Sequence, residues 1–434
     1  MVRGFKDRSE YRVRKDCRLC HSKGLRVFID FGRMPLAGDF LLPEDVGKEP
    51  KYPLRVAVCD DCFLVQVPDV VSREVMFSDY RYLSSVTSTL RNHFVDYADE
   101  IARILAREKD PLVVEIGAND GVLLKPLQQK GLRAVGIEPA RNVARIARER
   151  GLDIVNAFAT EAVAARIVSK HGEASLVTAS NVFAHIDDMD QVMRAVSRLL
   201  RSGGRFVFEV HYLPELFRTM QYDFFYHEHL CYYSLTALRP FLERHGFRMT
   251  DALVHAIHGG SIRVHSVKSD SGVRRSKRLE ALFREESKMG MGRASTYRKF
   301  GARVREHASR LRSVIEGLRK RGKKVAGYGA PGRGNTLLCY ARIGRKLLPF
   351  IVDASPSRYG RFTPGTHIPI LPADYFRTET PDVALLLAWT YQAEIAAKER
   401  WFLERGGEFV IPLPKITVVR GRKRGRRRAQ SSRE

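Results

Sequence analysis

Leu112-Val-Val-Glu115-Ile-Gly117-Ala-Asn119-Asp-Gly121 reads as a buried strand that ends on an acidic residue and turns through small residues into a helix. The small residues let a ligand approach the turn, where backbone amides at the following helix N-terminus converge. The spacing is not GxGxxG: Asn119 takes the middle small-residue place, and Glu115 stands at the strand end where an apolar residue is usual. A carboxylate there repels a pyrophosphate but suits a ligand bearing an ammonium or sulfonium. That points away from NAD and toward S-adenosylmethionine.

Glu138 ends the next strand-like run, Ala134-Val-Gly-Ile137, where a carboxylate accepts hydrogen bonds from both hydroxyls of a ribose. Phe158 follows the third run, Asp153-Ile-Val155, and its ring can cover an adenine face. Ser175-Leu-Val-Thr178 and Arg205-Phe-Val-Phe-Glu209 continue the series with helical patterns between them. Alternating β and α units imply a parallel, doubly wound sheet. Residues 76–272 are therefore expected to form an α/β domain whose cofactor contacts are Glu115, Gly117, Asn119, Gly121, Glu138 and Phe158.

Tyr226-His227-Glu228-His229 is the densest titratable cluster and lies beyond the strand that ends near Val210, on the side where open α/β sheets bind ligands. It offers a general base, a carboxylate to orient it and hydroxyl donors for a developing oxyanion. His-x-His also binds metals, but the i, i+4 spacing of a helical zinc site is missing. His185, in Asn181-Val-Phe-Ala-His185, follows the fourth strand and is expected to face the same cleft. Tyr80, in Asp79-Tyr80-Arg-Tyr82-Leu-Ser-Ser, lies ahead of the first sheet strand, and hydroxyls clustered there can reach cofactor or substrate.

Cys17-Arg-Leu-Cys20 and Cys59-Asp-Asp-Cys62 are paired thiols. A two-residue gap lets both sulfurs of a pair reach one tetrahedral ion, so Cys17, Cys20, Cys59 and Cys62 are read as a structural zinc site; two disulfides, a redox dithiol or chance spacing are the alternatives. The ion would staple residues 1–75, a segment too small to bury much core alone. Cys231 and Cys339 stand apart from the pairs, which suits a reducing, cytoplasmic compartment.

A chain of 434 residues with 44% hydrophobic content has room for two or three domains. It has no apolar run of membrane-spanning length and no apolar stretch at its start, so no membrane partner is expected. The formal charge of +26 attracts polyanions, but much of it sits in Arg420-Gly-Arg-Lys-Arg-Gly-Arg-Arg-Arg428. Residues 417–434 read as a basic, disordered tail with at most weak nonspecific nucleic-acid contact. Residues 273–321 read as a helical connector, and 322–416 as a second α/β unit opened by Lys324-Val-Ala-Gly-Tyr-Gly329.

In this order the motifs resemble the sugar C-methyltransferase family, whose members methylate C-3 of deoxy-4-keto nucleotide sugars. The resemblance runs over nearly the whole chain. It rests on both cysteine knuckles, the Tyr80–Ser85 segment, Glu115 to Gly121, Asn181 to His185, Tyr226 to His229 and His258-Gly-Gly-Ser-Ile-Arg263. Toward the C-terminus it continues through Gly327-Tyr-Gly-Ala-Pro-Gly-Arg-Gly-Asn-Thr336, Val352-Asp353, Gly365-Thr-His-Ile-Pro369 and Leu385-Leu-Leu-Ala-Trp389. It implies a small N-terminal zinc-binding domain, a class I methyltransferase core of Rossmann-like α/β type, and a C-terminal Rossmann-like domain that helps enclose a nucleotide-sugar substrate. It also implies that His229 is the base, with Glu228, Tyr226, His185 and Tyr80 lining the reacting sugar. The competing reading is a zinc-knuckle protein that binds or methylates nucleic acid. Amino-methyltransferases of that kind carry Asn/Asp-Pro-Pro-aromatic after the fourth strand, where this chain has Ser180-Asn-Val-Phe-Ala.

Overall fold

The computed structural model describes residues 10–72, 76, 85, 88–269 and 273–421. Tyr80, Tyr82 and the tail from 422 onward lie outside the described residues.

The N-terminal strands are β1 (Tyr11–Val13), β2 (Leu25–Pro35), β3 (Lys51–Cys59), β4 (Val65–Gln66) and β5 (Asp69–Val71). β2, β3 and β4 pair antiparallel, and the two cysteine knuckles stand at the end of this meander where β3 closes on Cys59.

The middle of the chain supplies β6 (Leu112–Ile116), β7 (Arg133–Ile137), β8 (Ile154–Val155), β9 (Ala174–Ser180), β10 (Leu200–His211), β11 (Cys231–Tyr232), β12 (Phe247–His255) and β13 (Ser261–Lys268). Seven of these form a sheet in the order β12-β13-β10-β9-β6-β7-β8. The strands from β6 to β10 run parallel, and β13 enters antiparallel between β10 and β12. Val113 packs into one apolar layer and Leu112, Val114 and Ile116 into the other, so both faces of the sheet are covered. That double burial is why the strands read as uninterrupted apolar runs. The strand order reverses beside β6, which opens the crevice where such sheets take ligands.

β11 does not join this sheet. It pairs with β4, so the N-terminal sheet runs β11-β4-β3-β2 and includes a strand from far along the chain.

The connector is two helices, Lys277–Met289 and the 27-residue Ala294–Lys320. Tyr297, Phe300, Val304, Leu311, Ile315 and Leu318 form the buried stripe of the longer helix at three- and four-residue spacing. Beyond it lie β14 (Val325–Tyr328), β15 (Ile351–Asp353), β16 (Ile370–Pro372), β17 (Val383–Leu386), β18 (Glu408–Ile411) and β19 (Thr417–Arg420), in the order β16-β15-β14-β17-β18-β19. β19 is an antiparallel edge strand, so ordered structure continues past 416 into the segment read as tail. One apolar cluster joins Phe28, Ile29 and Leu54 of the N-terminal sheet to the long helix and to Val325 and Ile351 of the C-terminal sheet. Among the described residues, no helix is long and apolar enough to cross a membrane.

Gly301 marks the closest approach of the long helix to β2: a Cβ on it would stand 2.1 Å from the Phe28 carbonyl oxygen. Elsewhere in a helix Gly→Ala gains up to about 1 kcal/mol. Here backbone blocks the methyl, so Gly301→Ala should instead lower stability by about 2 kcal/mol or more, seen as a lower urea midpoint; a raised midpoint would contradict this packing.

Candidate active site

The turn after β6 is left-handed at three points, Gly117 (φ 72°), Asn119 (φ 50°) and Gly121 (φ 81°). A Cβ on Gly117 would stand 2.3 Å from a Val182 methyl, and one on Gly121 1.9 Å from Leu152. Gly117 and Asn119 line a cavity of about 810 Å³; Gly121 serves the packing beneath it.

Glu138 lies opposite the turn. Its two carboxylate oxygens accept from the Asn119 and Ala140 amides at 2.9 and 2.8 Å, which fixes the group and leaves a lone pair on each for ribose hydroxyls. Burial raises its pKa against the pull of those amides. Glu115 is 2% exposed and sits behind the cavity wall, and its Oε2 is buried without a hydrogen-bond partner. Burial, then the charges of Glu138 and Asp120, push its pKa well above the carboxylate range. Glu115 therefore does not line the cavity as the sequence reading expected of a cofactor contact, and its neutral carboxyl offers no charge to a sulfonium; the cofactor contacts that do line it are Gly117, Asn119, Glu138 and Phe158. These residues fit S-adenosylmethionine. Phe158, 52% exposed, stands at the rim with Leu90 and Phe94 of the helix Ser88–Leu105.

The other half of the cavity is imidazole. His185, His211, His229 and His258 all line it, with ring centroids 4.9 Å apart for His185 and His229, 5.3 Å for His211 and His229, and 6.0 Å for His211 and His258. The Tyr226 hydroxyl stands 2.8 Å from His229 Nε2. His229 Nδ1 is buried and makes no hydrogen bond of normal geometry, the Phe224 carbonyl being the backbone acceptor that acts on it. His185 Nδ1 donates to the Glu228 carbonyl at 2.7 Å, which leaves its Nε2 as the lone pair. Burial pushes the pKa of His229 well below the usual imidazole value, and the neighbouring His185, His211 and His258 add to the shift. His211 is pushed down to about 3 by burial, His258, Arg333 and His185. The cluster is uncharged at neutral pH.

Tyr226, Glu228, His229 and His185 thus meet at one cavity, as the sequence suggested. Glu228 is not the group that orients His229, however: that hydrogen bond comes from Tyr226. The Glu228 carboxyl faces the cavity and is pushed up to about 7 by burial and by Asp39. His227 turns away and donates to the Pro53 carbonyl of the N-terminal sheet. His211 and His258 were not read as site residues. The position of His211 at the C-terminal end of β10 was the available signal.

The Cys17–Cys62 and Cys20–Cys59 sulfurs are 3.5 Å apart, all four lie within 4.8 Å of one another, and none is in a disulfide. Tetrahedral zinc with bonds of about 2.3 Å separates its sulfurs by about 3.8 Å, so the donor set fits that ion. The glycine turn after β14 differs from the one after β6. None of its glycines lines the cavity: a Cβ on Gly329 would stand 2.5 Å from that of Ala388, and Gly332 lies beside the Ala37 carbonyl.

Three domain families match the chain: "Methyltransferase domain" over residues 90–252, "C-methyltransferase C-terminal domain" over 256–414 and "Putative zinc binding domain" over 17–77. The chain is similar to C-methyltransferase NovU of Streptomyces niveus, with 37% identity over 406 residues, 93% of this chain and 96% of that protein. A ubiquinone biosynthesis O-methyltransferase of Ralstonia nicotianae is 29% identical over 98 residues, 22% of this chain and 41% of its own. Among solved structures, magnesium protoporphyrin IX methyltransferase of Synechocystis, with bound SAH, covers 45% of this chain and 92% of its own at 14% identity and a TM-score of 0.33.

A carboxyl raised to about 7 costs stability wherever it must ionise in place. The Glu228 contribution is intact below the unfolded value near 4.5 and is lost as pH rises through 7. Glu228→Gln should therefore gain about 3 kcal/mol of unfolding free energy at pH 8 and almost none at pH 4; equal effects at both pH values would contradict the assignment. Metal analysis should give one zinc per chain, and Cys59→Ser should abolish it.

Proposed function

The chain belongs to the sugar C-methyltransferase family, with a class I S-adenosylmethionine-dependent core and a four-cysteine zinc domain, and from that premise we propose that its acceptor is the carbon beside the keto group of a nucleotide-activated deoxy sugar. The observation that carries this reading is the neutral His229, hydrogen-bonded to Tyr226 and lining the same cavity as the Gly117 turn and Glu138.

A ketone acidifies the C–H bonds next to it, so a positioned base suffices to make carbon the nucleophile. His229 presents free imidazole at neutral pH, because burial and its histidine neighbours disfavour the cation. It takes the proton from the sugar carbon, and the negative charge moves onto the keto oxygen. Tyr226 has the hydroxyl nearest to the base, and Glu228 below pH 7 is a carboxylic acid; both can donate to that oxygen. S-adenosylmethionine, held by the Gly117 turn and Glu138, supplies an electrophilic methyl when bound. The imidazolium is disfavoured among three other histidines, so its proton passes to solvent, which makes exchange at the acidic carbon a signature of the base step. The free thiols suit a cytoplasmic site for the reaction.

Incubation with S-adenosylmethionine and a panel of dTDP-, GDP- and UDP-4-keto sugars in deuterium oxide tests the reading. One sugar should give S-adenosylhomocysteine and take up deuterium beside the keto group. His229→Ala should abolish both and leave donor affinity within a few-fold. Unchanged turnover in that variant removes His229 as the base.

A further inference from the structure

We infer that the cysteine domain is a positioning part of the methyl-transfer site, acting through Arg18 on Asp187 and so on His185. This goes beyond the stapling role of the ion and rests on the reading of His185 as a wall of the sugar site. Arg18 lies between the ligands Cys17 and Cys20 and is 1% exposed. Its Nε donates to Asp187 Oδ1 at 2.9 Å, and its Nη1 donates to Gln66 Oε1 at 3.0 Å and to the Val67 carbonyl at 2.9 Å. One guanidinium therefore ties the first knuckle, the strand β4 and the loop after His185 together. Arg14 donates to the Asp187 backbone carbonyl at 2.8 Å and to its carboxylate, and Arg12 pairs with the same carboxylate. Three arginines of the cysteine domain thus converge on one side chain of the middle domain.

Asp187 is two residues past His185, and its neighbours Ile186 and Asp188 line the cavity. The Leu230 amide donates to the Ala184 carbonyl at 2.6 Å, so the same loop also carries the end of the catalytic segment. Fold stability alone does not call for such an arrangement, since a buried ion pair is commonly matched or bettered by apolar residues of similar volume. A planar fork with three acceptors fixes direction instead. Metal bound to Cys17 and Cys20 sets the backbone from which Arg18 extends, and Arg18 sets the loop that carries His185. Arg18 and Asp187 are positioning residues: neither lines the cavity.

The test compares Arg18→Met, Asp187→Asn and a control, Arg26→Met, in the full-length zinc protein. Arg26 belongs to the cysteine domain too but pairs with exposed Asp60 at 3.1 Å. Zinc content, S-adenosylhomocysteine affinity by calorimetry, the ¹⁵N imidazole resonances of His185 and kcat on the sugar that turns over are measured for each. Arg18→Met and Asp187→Asn should keep one zinc per chain and bind S-adenosylhomocysteine within about threefold. Both should shift the His185 resonances and lower kcat on the order of 10²-fold, the scale of a misplacement of about 1 Å. The control should change none of these. Unmoved His185 resonances with zinc retained, or a kcat loss that only follows zinc loss, overturns the inference. If Arg18→Met does not fold, the near-isosteric Asp187→Asn decides by the same readings. The resonances are read without any sugar, so a wild-type protein inactive on every keto sugar sinks the substrate assignment and leaves this coupling to stand or fall on His185.

Discussion

Cys231 and Tyr232 pair antiparallel with Gln66 and Val65, and this two-residue ladder fixes where residues 226–229 lie. The Val67 amide donates to the Leu230 carbonyl at 2.9 Å, and the Tyr232 hydroxyl to the Phe224 carbonyl at 2.6 Å. These groups are buried, so each lost bond would leave an unsatisfied polar atom. Tyr226 to His229 is thus held between the cysteine domain and the cofactor sheet. All the residues that line the cavity, from Leu90 to His258, belong to the middle of the chain, and the cysteine domain brings the support on which the histidine segment rests. The C-terminal domain adds a third support, because Trp389 Nε1 donates to Asp223 Oδ2 at 2.9 Å and Arg333 packs against Phe224.

Within this frame the electrostatics favour uncharged groups. The four cavity histidines are held below their usual range, and Glu115, Glu138 and Glu228 above theirs. Burial is the leading cause in every case, since a low-dielectric wall penalises the charged form of acid and base alike. A site so poised offers free imidazole beside a carboxyl that is protonated below about pH 7.

Much of this was legible in the sequence because local physics wrote it there. A parallel sheet covered on both faces needs apolar runs, so residues 112–116, 134–137 and 175–178 were visible as the hearts of strands β6, β7 and β9. Paired thiols at two-residue spacing announced the metal knuckles, and residues at strand ends announced the cleft. What escaped depends on contacts distant in sequence. β11 is two residues long and has no periodicity, so nothing local shows that it completes a sheet begun near residue 25. The partner of His229 was misread for a different, local reason: the adjacent Glu228 looked like the orienting carboxylate, whereas the turn aims Tyr226, three residues back, at the ring. His258 was seen only as part of a motif and His211 not at all, and the two meet only when the end of β10 and the loop before β13 converge. Thr417–Arg420 was read as tail from its basic setting, but it pairs as an edge strand with β18.

The account stands on carbon being the atom methylated. Its most direct test is to run the reaction with a ¹³C-methyl donor and a ¹³C-labelled sugar and read the product by carbon NMR. The account predicts a one-bond carbon–carbon coupling between the new methyl and the ring carbon beside the ketone. A methyl that shows no such coupling and is attached to oxygen or nitrogen would contradict it.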